Sequence, residues 1–146
     1  IFGRSIVNYN MANFCRTLAL LLRSGVKITE SIDITAATLT NLVYRRELGE
    51  ASNHVRRGEF FSKYLYANKK VFPTMMVNMI EVGENTGNLT ENLSYLAAYY
   101  ENEVDDFVKN LSSILEPFLL LIMGGMVAFI ALSFITPIYQ LTRTIK

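Results

Sequence analysis

The sequence predicts an all-α protein, an antiparallel bundle of about six helices followed by one transmembrane helix. Three observations carry this. Apolar residues recur at spacings of three and four from Met11 to Leu111, the period of a helix with one buried face. Gly, Asn or Pro punctuates the gaps between these runs, so the connections are short, as in a compact bundle. Residues 117–142, PFLLLIMGGMVAFIALSFITPIYQLT, then pass 26 positions without Asp, Glu, Lys, Arg or His. No segment shows the alternation of a strand.

The first helix is expected over about Met11 to Ser24, with Met11, Phe14, Cys15, Leu18, Leu21 and Leu22 as its stripe and Gly25 as a left-handed cap. A second runs from about Thr29 to Thr38 and presents Ile28, Ile32, Thr35, Ala36 and Leu39. A third starts near Asn41, buries Tyr44, Leu48, Ala51 and Val55, and stops at Gly58. A short fourth helix covers Phe60 to Tyr66, and the polar Asn68-Lys69-Lys70 ends it. Pro73 suits the first turn of a fifth, where its missing N–H is not needed, with Met75, Met76, Met79 and Ile80 facing inward. Asn88-Leu89-Thr90-Glu91 has the residues of a capping box and opens the sixth and longest helix, with Leu89, Leu93, Leu96, Ala97, Tyr100, Val104, Phe107, Val108 and Leu111 along one side. Pro117 predicts a kink or short break before the uncharged run.

As a helix that run would extend about 39 Å at 1.5 Å per residue. A hydrocarbon core of roughly 30 Å is crossed with length to spare. Tyr139 and Gln140 suit the interface, and Arg143 and Lys146 end the apolar stretch. Gly124, Gly125, Ala128 and Ala131 gather small residues on one side, a pattern that permits close packing of membrane helices. No ionisable group lies inside the run, so it offers no proton relay.

Charge is unevenly spread. Residues 1–70 hold 11 Lys+Arg against 5 Asp+Glu, whereas residues 71–116 hold 1 Lys against 8 acids. Such polarity fits complementary partner surfaces and disfavours nucleic acid, which selects a uniformly basic face. Arg45, Arg46, Arg56 and Arg57 form a basic region that is either a solvated face or a surface for an acidic protein or anionic lipid headgroups. The acids from Glu101 to Asp106 are a solubilising face or a docking surface.

Catalytic chemistry finds little support. His54 is the single histidine and reads as a solvated helix residue without an acid–base partner. Cys15, the single cysteine, sits in an apolar stripe and reads as core. There is no phosphate-binding glycine loop and no Cys/His metal spacing, so neither cofactor nor metal is expected. Glu81 and Glu84 could share a cation, but they offer too few oxygens for calcium. The segment Ile80 to Leu89 reads instead as a tight helix–helix turn. Gly83 would allow close packing there, Gly87 would take positive φ, and Asn88 would cap the next helix.

Several of these segments together resemble a known family. Phe14-Cys15-Arg16-Thr17-Leu18 through Leu21-Leu22-Arg23-Ser24-Gly25-Val26 resembles its opening helix, F-x-R-T-L-x-x-L-L-x-x-G-[VI]. Val82-Gly83-Glu84-Asn85-Thr86-Gly87-Asn88-Leu89 resembles its V-G-E-x-[ST]-G-x-L. Leu115-Glu116-Pro117 and Pro137-Ile138-Tyr139 resemble the motifs that flank its last membrane helix. These are hallmarks of the type II secretion F domain of inner-membrane platform proteins, in the expected order over about Asn13 to Leu141. Lys27-Ile28 departs from the proline that often opens the family's second helix.

The resemblance implies the second of two related cytoplasmic domains plus the last of three membrane helices, with the remainder lying in a longer protein. It divides the chain into a lead-in at 1–12, a cytoplasmic bundle at 13–112, a membrane helix at 113–142 and a polar tail at 143–146. It implies a non-enzymatic role in a type IV pilus or type II secretion machine, coupling a hexameric assembly ATPase to pilin or pseudopilin subunits. Other inner-membrane assembly proteins, membrane lipid and further copies of itself are the remaining expected partners. Gly83, Glu84 and Gly87 become a signature turn. The local count of positive charges, Lys109 before the span and Arg143 and Lys146 after it, favours the opposite orientation. Earlier spans set topology in such proteins, so the family's orientation is the expectation. The alternative is a membrane-tethered adaptor or signalling module of another pathway.

Overall fold

The computed structural model describes the backbone of residues 2–144 and the side chains of residues 3–135. Six helices follow one another, with no strand among the described residues: α1 Phe2–Arg23, α2 Ile28–Thr38, α3 Leu42–Arg56, α4 Phe61–Ala67, α5 Thr74–Thr86 and α6 Leu89–Thr144. The all-α expectation holds, and the sixth bundle helix and the apolar run are one continuous helix. The break expected at Pro117 is absent. That proline cannot donate to the Ser113 carbonyl, but a run of Leu and Ile on its far side propagates the helix, and membrane helices tolerate such a vacancy. The interfacial and flanking residues Pro137, Tyr139, Gln140, Arg143 and Lys146 lie outside the described side chains.

The chain divides into two compact units, Ile1–Asp105 and Asp106–Lys146. The first has a single core. Met11, Phe14, Cys15 and Leu18 of α1 are buried with Ile32 of α2, Leu48 of α3, Phe61 and Leu65 of α4, Met76 and Ile80 of α5, and Leu93 and Leu96 of α6. Truncating one such residue to alanine would cost about 2–5 kcal/mol. Phe14 packs on Phe61 at 6.2 Å between ring centroids, and Tyr44 on Phe72 at 6.0 Å. The fifth helix departs from its expected stripe, because Met75 is exposed and Val77 takes the inward position. α1 begins nine residues earlier than periodicity suggests, and among the described apolar side chains of its first turns only Val7 packs on the core.

Buried hydroxyls are satisfied locally. Thr35 donates to the Ser31 carbonyl at 2.6 Å, and Ser52 of α3 donates to the Thr29 carbonyl of α2 at 3.2 Å. The second unit is a helix alone, and its described side chains from Leu111 to Ile135 are all exposed. An apolar surface that no described residue covers suits lipid better than water.

Candidate functional site

The α5–α6 turn is built around its glycines. Gly83 is buried within α5, where an added Cβ would lie 2.8 Å from the Leu89 Cα and 3.2 Å from the Leu89 nitrogen. Gly87 follows the helix with φ 74°, in the left-handed region that glycine enters without steric cost. Its N–H and that of Asn88, at 3.0 Å, both donate to the Gly83 carbonyl, closing the end of α5. The Asn92 side chain donates to the Met79 carbonyl at 2.8 Å and ties the first turn of α6 to α5.

Glu84 does something that the local sequence does not announce. Its two carboxylate oxygens accept the Phe61 and Ser62 N–H groups at 2.7 and 2.8 Å. A carboxylate from α5 thus supplies the cap that α4 lacks, since Phe60 makes no side-chain capping bond. Glu81 points elsewhere. It is exposed and, with Phe60, Ser62, Lys63, Tyr66 and Asn85, lines a groove of about 600 Å³ beside the turn.

The four arginines of the basic region have separate tasks. Arg45 donates to the Leu39 and Ala37 carbonyls at 2.9 and 3.4 Å, covering the open end of α2. Arg56 pairs with Asp33 and joins α3 to α2. Arg46, 75 % exposed in its side chain, rests on Glu47 at 3.0 Å. Arg57 is exposed and has no ion pair among the described residues. Arg46 and Arg57 are therefore the two of the four that make no bond to another helix among the described residues.

His54 is not the solvated residue the sequence suggested. It is half-buried, its Nδ1 lies 3.0 Å from Glu59 Oε1, and its ring packs 4.8 Å from that of Tyr64. The turn at Gly58 folds Glu59 back onto α3, which no helical period could show. The His54 contact holds the Glu59 carboxylate below its ordinary value, against a smaller opposing effect of desolvation. Tyr64 donates to Glu47 at 3.0 Å, and burial with that contact pushes its phenol up to about 12. Cys15 is fully buried, which pushes its thiol upward and away from nucleophilic reactivity. Among the described residues no three His, Cys, Asp or Glu side chains come together as a metal site.

On the apolar part of α6, Gly124, Gly125, Ala128 and Ala131 are exposed, and a Cβ added at either glycine would meet nothing within 4 Å. The segment is long and apolar enough to cross a membrane. A buried helical core continued by one apolar helix that could span a membrane is the class of architecture the described residues define.

The family can be stated directly. The model of "Type II secretion system (T2SS), protein F" matches residues 14–137, and the chain belongs to that family. It is 36% identical over 146 residues to the type IV pilus assembly protein PilC of Thermus thermophilus, covering 100% of this chain and 36% of that protein. It is 34% identical over 145 residues to type II secretion system protein F of Pseudomonas aeruginosa (99% of this chain, 36% of the relative). PilC of Pseudomonas aeruginosa is 30% identical over 145 residues, with 99% and 38% covered. The chain thus spans little more than a third of the length of the curated relatives it matches. Their names place relatives of this chain in pilus-assembly and secretion machinery, and neither name is that of an enzyme.

Proposed function

We propose that the chain is part of a non-catalytic inner-membrane platform of a type IV pilus or type II secretion machine. In this reading residues 13–112 are a cytoplasmic helical domain and residues 113–142 the membrane helix. The platform couples a hexameric assembly ATPase to the assembly of pilin or pseudopilin subunits. One observation supports this above the others: a well-filled bundle built for water is continued, in a chain of this family, by a helix whose described apolar side chains from 117 to 135 have no cover.

Within the bundle the signature turn of Gly83, Glu84 and Gly87 acts as an internal brace that keeps α4 on α5. The partner-contact surface is the outer side of α3, carried by Arg46 and Arg57. Gly124, Gly125, Ala128 and Ala131 are the side of the membrane helix that neighbouring helices approach.

The test uses the full chain in lipid nanodiscs, presented to the purified assembly ATPase of the same organism. Retention of the ATPase by loaded nanodiscs and not by empty ones is expected, with no ATP hydrolysis by the chain alone. Absence of retention, or hydrolysis by the chain itself, would overturn the platform reading.

A further inference from the structure

The outer side of α3 carries a glycine for which the fold has no use. Gly49 lies in the middle of the helix, half-buried, and a Cβ added there would meet nothing within 4 Å. Glycine inside a helix is unfavourable relative to alanine, so the isolated molecule is weakened by it without any packing in return. Beside it at helical spacing stand Leu42, Arg46, Asn53 and Arg57, all exposed, with Leu42 at 73%.

α6 carries a stripe of the same rhythm. Glu91, Tyr95, Ala98, Asn102 and Asp105 are all exposed, with a small residue at the centre. The stripes are of nearly equal length, about 22 and about 21 Å at 1.5 Å per residue. Laid parallel with Gly49 over Ala98, they set Asn53 beside Asn102 and Arg57 beside Asp105. Arg46 then falls over the Tyr95 ring, with Glu91 one turn away, an arrangement that suits a guanidinium. Glu91 and Asp105 have no ion pair among the described residues. Two further cations border this side of α6, and both are occupied: Arg16 pairs with Glu101, and Arg23 donates to the Ser94 hydroxyl at 2.9 Å.

We infer that the partner on the α3 face is a second copy of this chain, docked through its α6 stripe with Gly49 and Ala98 at the crossing. Charge complementarity selects this occupant, since the α3 face is basic and the α6 stripe is acidic at both ends. The missing side chain at Gly49 lets the two backbones approach closely. The contact is heterologous, so each copy offers one α3 face and one α6 stripe and can bind two neighbours. This names the occupant of the arginine surface proposed above and is independent of ATPase binding.

Gly49→Cys and Ala98→Cys are introduced into separate copies of the full chain, which are mixed in detergent micelles and oxidised with copper phenanthroline. Cys15 stays in the core. A linked dimer is expected from the mixture and from neither variant alone. Asn53→Cys with Asn102→Cys, both at exposed positions, repeats the test without filling the glycine site. Arg57→Asp should weaken association at least tenfold, and Asp105→Arg in the other copy should restore it. Links within a single variant, or no link from either mixture, would overturn the inference. Loss of the link with ATPase retention intact rejects this contact alone, whereas loss of retention with the link intact rejects the platform reading alone.

Discussion

Replacing Gly83 with alanine should destabilise the bundle even though alanine is the better helix former. The gain in helix propensity is about 1 kcal/mol. Against it, the new Cβ would sit 2.8 Å from the Leu89 Cα and must be moved outward by about 0.6 Å to reach the 3.4 Å of ordinary contact. The obstacle is main chain and cannot rotate aside. Either the end of α5 or the start of α6 shifts, which strains the Asn88 and Asn92 hydrogen bonds at 3.0 and 2.8 Å. Each is worth about 1 kcal/mol, and overpacking of this kind costs about 1–3 kcal/mol. The net expectation is a loss of about 2 kcal/mol, or a melting temperature lower by about 8 °C for a unit of this size. Thermal unfolding followed by circular dichroism, on the full chain in detergent, measures it. Gly49→Ala, measured at a dilution where copies of the chain are apart, is the matched control, the same exchange in an open helical position, and should raise the melting temperature by about 4 °C. A Gly83→Ala protein as stable as its parent would refute the close-approach argument.

Glu84→Ala should leave the Phe61 and Ser62 N–H groups without their acceptor, at a cost of about 1–2 kcal/mol. Hydrogen exchange should report it as faster exchange at those two amides, with α1 amides changed far less. The contact with His54 should make stability depend on acid. Because the native Glu59 carboxylate is held below its ordinary value near 4.5, its contribution is present above that value and is lost as pH falls through the lowered one. Denaturant titrations of parent and Glu59→Gln should therefore differ above the ordinary carboxylate value and converge as the pH falls below it; a constant difference throughout would count against the pairing.

Periodicity made the interior readable, because a residue such as Leu48 or Leu93 is buried for the same reason that it recurs at 3 and 4. It failed where the chain folds back on itself. Periodicity starts α1 too late because, of the described apolar side chains in its first turns, only Val7 reaches the core, and a helix held by its own hydrogen bonds leaves no apolar stripe. The glycines of the α5–α6 turn were visible because left-handed geometry and close approach leave few other choices. The reach of Glu84 to Phe61, 23 residues upstream, was not, since a carboxylate looks the same whether it caps a distant helix or faces water. The basic region likewise read as one patch, yet Arg45 and Arg56 are spent on α2 and only Arg46 and Arg57 remain outward. At Pro117 local chemistry pointed to a break, and the apolar residues around it sustain a helix that a watery setting would have interrupted.

The Glu84 brace also bears on how α4 would survive damage. The connection after it passes through Lys69 and Lys70, both exposed, before Phe72 returns to the interior. Trypsin cutting there would sever the polypeptide but not the carboxylate's grip on the first turn of α4, nor the burial of Phe61 and Leu65. The nicked protein should migrate as one particle until denatured and as two fragments afterwards, so the chain link from α4 to α5 is not what holds these two helices together.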